Sequence, residues 1–195
     1  MANSANIRPF IQKWEGGLSK ALSDTASSNP SPWSYNGVSG YHTNKGVTYS
    51  TFKNLSNSLG YANTAENFFS MPNDIWNKIF SNGYWKPLYL DNLNSQAIAD
   101  ALSNWSWGSG VSGAFTSLKK YLFTKNITVT NWPQSIEALN KLSSLNETAI
   151  FLELINWREQ FFKSLNQPAN LRGWLNRLNE MKAFGLETIK KKSIG

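Results

Sequence analysis

Ile7-Arg8-Pro9-Phe10-Ile11-Gln12-Lys13-Trp14-Glu15-Gly16-Gly17 is the stretch that decides the fold class. Ile7, Phe10, Ile11 and Trp14 follow the i, i+3, i+4, i+7 spacing of a helix with one apolar face. Gly16 and Gly17 then predict a left-handed C-terminal cap. Glu15 is therefore expected as the last helical residue, at the negative end of the helix dipole. That end disfavours a charged carboxylate and suits one that holds a proton and gives it away.

Downstream, the same periodicity recurs. Thr48 reads as an N-cap before Phe52, Leu55 and Leu59, with Gly60 as the stop. Short helices are expected from Thr64 and from about Asn73. Ser95 caps a helix carrying Ile98, Ala99, Leu102 and Trp105, and Trp107-Gly108-Ser109-Gly110 reads as a turn. Pro133 opens a helix at its tolerated first turn. Another starts at Asn146, and the last carries Leu171, Trp174, Leu178 and Met181. Ile127–Thr130 reads as a short strand. Ser19–Thr48 is irregular, with a small hairpin expected at Asn36-Gly37. The fold class is mainly α, with at most a small β-hairpin.

Composition narrows the chemistry. The chain has 195 residues, 41% of them hydrophobic, enough for a real core. It has no cysteine and one histidine, His42, which excludes a thiolate nucleophile, a disulfide scaffold and a multi-His metal site. No metal or cofactor is expected. No apolar run approaches the roughly 18 residues that span a membrane, so membrane insertion is not expected. Met1–Phe10 has no charged-then-apolar leader pattern. The expectation is a cytoplasmic protein until a holin, a secretion system or lysis releases it to the periplasm or cell wall. The net charge of +7 suits a polyanionic partner. The basic residues are scattered and match no nucleic-acid motif, so nucleic acid is not the expected partner. A monomer is expected.

Among twelve acidic residues, Glu15 and Asp24 stand in a Gly-, Ser- and aromatic-rich neighbourhood that also holds His42. A carboxylate at a helix end facing a polar loop with a second carboxylate is what glycoside hydrolysis uses. One acid protonates the leaving oxygen, and the other group serves water or the developing cation. The bland alternative is a helix terminus and a loop Asp that caps its own turn.

Trp14-Glu15-Gly16-Gly17-Leu18-Ser19, then Asp24, then Thr43-Asn44-Lys45-Gly46-Val47-Thr48 resemble glycoside hydrolase family 108. These are N-acetylmuramidases of the lysozyme-like superfamily. Their pattern reads roughly E-G-G-[YF]-x-N-D-x-x-D, then T-x-x-G-[IV]-T. Ala97-Ile98-Ala99-Asp100 and Trp105–Gly110 resemble the family's helix and turn beside the cleft. Arg158–Phe162 and Leu171–Arg177 resemble the C-terminal segment predicted to bind peptidoglycan. Ala21 stands where the family has its first Asp, and the link after Asp24 is lengthened to His42.

The resemblance implies a lysozyme-like helical fold and a peptidoglycan muramidase cleaving the β-1,4 bond between MurNAc and GlcNAc. Glu15 would be the general acid. Asp24 would stabilise the oxocarbenium-like state or position water, with Thr43 assisting. His42, Lys45, Tyr41 and Trp107 would contact substrate, and the partner would be bacterial peptidoglycan. Residues 1–125 would form the catalytic region. Residues 126–195 would pack on it, with Phe161, Phe162 and Trp174 as core and Arg158 or Arg177 on a buried polar group. A lytic transglycosylase and a non-enzymatic wall-binding module remain the alternatives.

Overall fold

Phe10 and Ile11 are buried on the inner face of the first helix, α1 (Arg8–Trp14), as the spacing predicts. The computed structural model describes residues 1–194. Glu15 lies just past α1, its N–H still bonded to the Ile11 carbonyl at 3.1 Å. The left-handed cap is not there, because neither Gly16 nor Gly17 has a positive φ. The chain instead leaves α1 to pair with a hairpin. The Gly17 carbonyl accepts from Lys45 N–H at 3.3 Å, and Ser19 N–H donates to the Thr43 carbonyl at 2.9 Å.

That hairpin joins β1 (Thr43–Asn44) and β2 (Val47–Thr48), antiparallel, with Thr43 opposite Thr48 and Asn44 opposite Val47. Lys45 and Gly46 form its two-residue turn, both at positive φ (47° and 75°). This is the type I′ geometry whose twist matches that of the strands. The expected turn at Asn36-Gly37 also forms, closed by two bonds between Tyr35 and Val38 at 2.9 and 3.0 Å.

Polar caps set most later helix starts. Thr48 accepts from Thr51 N–H at 3.2 Å and opens α2 (Tyr49–Ser56). Thr64 likewise opens α3 (Ala65–Phe69), and α4 (Asn73–Phe80) follows. Ser95 accepts from Ile98 N–H at 3.1 Å and opens α5 (Gln96–Thr124). Two long helices, α6 (Trp132–Ser164) and α7 (Pro168–Ile194), complete the described chain. The fold is mainly helical with a two-strand hairpin, as expected.

Two local expectations are corrected. Trp107–Gly110 is not a free turn. It continues α5, with a kink at Gly110, where φ 71° and ψ 160° leave the helical region. Ile127–Thr130 pairs with no strand among the described residues; Val129 buries its side chain without a ladder. In α6, Asn146 breaks the helix at φ −160°. Its side chain caps the continuation by accepting from Ala149 N–H at 2.9 Å, so a helix does begin there.

Contacts divide the chain into two compact units. One spans residues 8–83, where α2 packs on α4 over Phe52, Phe68, Ile75, Trp76 and Phe80. The other joins residues 1–7 to the chain from Tyr84 onward, and its α5, α6 and α7 pack pairwise. In that unit Gly185 of α7 lies so close to Phe151 of α6 that an added Cβ would be 2.5 Å from Cε2 and 2.9 Å from Cε1. Among the described residues no helix is long and apolar enough to cross a membrane.

Candidate active site

Gly46 and Glu15 define the centre of the site. A Cβ at Gly46 would overlap the Glu15 carboxylate and stand 2.7 Å from its Cδ and 2.9 Å from its Cγ. The Glu15 side chain therefore lies flat on the backbone of the hairpin turn. Gly46 is demanded twice, by its φ and by that contact. The Gly17–Lys45 and Ser19–Thr43 backbone bonds hold the segment after Glu15 along β1. Glu15 itself is half-buried.

His42, fully buried, ties the loop to the hairpin. Its Nε2 lies 3.1 Å from the Ala21 carbonyl, so the proton is assigned to Nε2. In the neutral ring Nδ1 then accepts from the Thr43 hydroxyl at 2.9 Å. The same Ala21 carbonyl accepts from Asp24 N–H at 3.1 Å. Thr43 and the Asp24 turn are thus joined through one imidazole. With its proton given to His42, the Thr43 oxygen keeps lone pairs for a water molecule.

Asp24 is exposed and caps a short 3-10 turn, Thr25–Ser28, its Oδ1 accepting from Ala26 N–H at 2.9 Å. Oδ2 has no hydrogen bond among the described residues. The Lys45 ammonium donates to the Met71 carbonyl at 2.8 Å, and the Lys45 carbonyl accepts from Trp76 Nε1 at 3.0 Å. The hairpin tip is pinned on both sides.

Residues 8–110, just over half the chain, match the glycosyl hydrolase 108 family. The chain belongs to that family. It is a glycoside hydrolase, and a peptidoglycan hydrolase in kind. Among solved structures, SagA of Brucella abortus shares the fold, with a TM-score of 0.67 and 20% identity over 94% of both chains. No curated protein has a matching sequence.

In this family 108 hydrolase the remaining expected site residues are distributed as follows. Tyr41 is half-buried in an aromatic cluster, 6.3 Å from the Tyr35 ring and 6.0 Å from Phe69, with the Lys20 ammonium 5.8 Å from its centroid. Trp33 anchors the same loop, edge-on to Tyr49 at 5.5 Å. Trp107 belongs to the other unit, half-buried in α5, its ring 4.7 Å from that of Tyr84. Among the described residues no three acidic or imidazole groups cluster to hold a metal ion.

Sequence reasoning placed His42 on substrate and missed its role as a strut. No local pattern announces a buried histidine with both nitrogens engaged. The β1–β2 hairpin was missed as a hairpin too. Its signal was Gly46 between the β-branched residues Thr43 and Val47-Thr48.

Proposed function

We propose that the protein is a muramidase that hydrolyses the β-1,4 bond between N-acetylmuramic acid and N-acetylglucosamine, with Glu15 as general acid. The observation that supports this most is the Glu15 carboxyl lying on the Gly46 turn, beside the segment that carries Thr43. A carboxylic acid so held can place its proton on the glycosidic oxygen as the C1–O bond breaks. Water then adds hydroxyl to C1, and its proton returns to the carboxylate pool of the site.

Thr43 positions that water through the lone pairs that His42 leaves it. Asp24 contributes the second carboxylate. Its Oδ1 is fixed by the Ala26 N–H, and Oδ2 faces the developing positive charge or the water. Tyr41 offers its ring face to sugars. Lys45 and His42 act by holding the tip and Thr43. The surplus of basic charge draws the enzyme to an anionic wall.

Product chemistry tests the reading. Purified sacculi digested with the protein and resolved by mass spectrometry should yield muropeptides with hydrated reducing-end muramic acid. Anhydro ends, lighter by one water, would assign a lytic transglycosylase. Reducing N-acetylglucosamine ends would assign the other glycosidic bond.

A further inference from the structure

A cavity of about 910 Å³ lies among α5, α6 and α7, inside the unit that holds all three helices. The sequence opens it. Gly108, Ser109, Ser112, Gly113 and Thr116 line it from α5 with small side chains, while Phe161, Phe162 and Trp174 line it with rings. Phe162 and Trp174 stack at 5.2 Å and 23°. The volume is that of a site for a drug-sized molecule, roughly 300–1,000 Å³.

Its charge is one-sided. Lys120, Arg158 and Arg177 line it, and none of its described lining residues is acidic. Arg158 is 7% exposed. Its Nη2 donates to Ser109 Oγ at 2.7 Å, but Nη1 finds no acceptor among the described residues, and neither does Trp105 Nε1. The two orphan donors are neighbours, because the guanidinium sits 5.0 Å from the Trp105 ring centroid. Phe161 and Phe162 cover it at 4.9 and 4.4 Å. Ring faces offset part of the cost of a buried cation. They do not accept its in-plane N–H bonds. Burial, with repulsion from Arg177 second, lowers the guanidinium to about 9, so it remains a cation at neutral pH.

A buried cation without a carboxylate destabilises a fold. We infer that this cavity is a binding site for an amphipathic carboxylate, whose anionic head pairs with Arg158 and whose apolar body lies against Phe162 and Trp174. Glu15 does not line this cavity, and the inference does not depend on the muramidase reading.

The test uses the full chain and intrinsic tryptophan fluorescence, since Trp105, Trp157 and Trp174 line the cavity. Decanoate and 1-naphthylacetate are titrated, each against its neutral amide. At least one acid should saturate the change and bind tenfold or more tightly than its amide, and which acid does so distinguishes a fatty-acyl body from an aryl one. Arg158→Met should erase that preference without lowering Tm, because it removes an uncompensated charge. Equal binding of acid and amide, or no saturable binding of any probe, overturns the inference. So does a folded Arg158→Met that keeps the preference. The wild-type comparison of acid with amide decides alone if that variant fails to fold.

Discussion

At the scale of the residue, the site rests on a glycine and a carboxylate that share one space. Gly46→Ala forces a Cβ into the Glu15 side chain and puts alanine at a positive φ. Turnover on peptidoglycan should fall at least about tenfold, the cost of a small misplacement at a reacting centre, with helical circular dichroism retained. Asp24→Asn separates two roles. Asn caps a helical turn about as well as Asp, so the Ala26 bond and Tm should survive. If Oδ2 serves the reaction, turnover drops about a hundredfold or more. Unchanged turnover would leave Asp24 as a cap alone. Glu15 and Asp24 are candidates the sequence offers because nine positions separate them, as in the family pattern, and Thr43 because it opens the Thr-x-x-Gly block beyond a lengthened link. The role of His42 was not legible, because its partners Ala21 and Thr43 meet it only through the folded loop.

At the scale of the element, helix starts were legible and interruptions were less so. Thr48, Ser95 and Asn146 announce themselves by side-chain caps, which are local. Gly108 and Gly110 read as a turn, yet α5 runs through them with a kink, because α6 and α7 pack along it. Tertiary packing there outweighs glycine's local cost of about 1 kcal/mol. Asp100, which breaks the apolar pattern of α5, is fully buried. It accepts from Asn6 Nδ2 and Gln96 Nε2, both at 2.7 Å. Burial raises its pKa to about 7, against the pull of those two amides. The folded state therefore holds a proton that the unfolded chain releases near pH 4. Stability should fall as pH rises from about 4 to about 7, by at most about 4 kcal/mol, and level off above. Asp100→Asn should flatten that slope in urea titrations at pH 5 and 8. An unchanged slope would place the titration elsewhere.

At the scale of the whole molecule, the helical class was legible and the division into units was not. A boundary after residue 125 follows sequence order. The contacts instead group residues 1–7 with everything from Tyr84 onward, so α5 shares a unit with α6 and α7. Periodicity reports which face of a helix is apolar, not which partner covers it. Phe151, Leu154 and Ile155 of α6 and Leu178 and Met181 of α7 are buried in that unit. Phe161, Phe162 and Trp174, expected as core, are half-buried cavity walls. Arg158 and Arg177 do meet polar partners, Ser109 and Asn104. A fragment ending at residue 145 should aggregate or bind a hydrophobic dye strongly, because α5 would expose its apolar face. A soluble, lytic 1–145 fragment would show that α6 past Asn146 and α7 form a separable module.

The central claim is that Glu15 donates the proton. Glu15→Gln keeps the shape of the side chain on Gly46 and removes the acid. The direct measurement is the rate of muropeptide release from purified peptidoglycan by wild type and Glu15→Gln at equal concentration, with Tm recorded for both. The account predicts a fall of about 10² or more at unchanged Tm. Near-normal release by Glu15→Gln would contradict it.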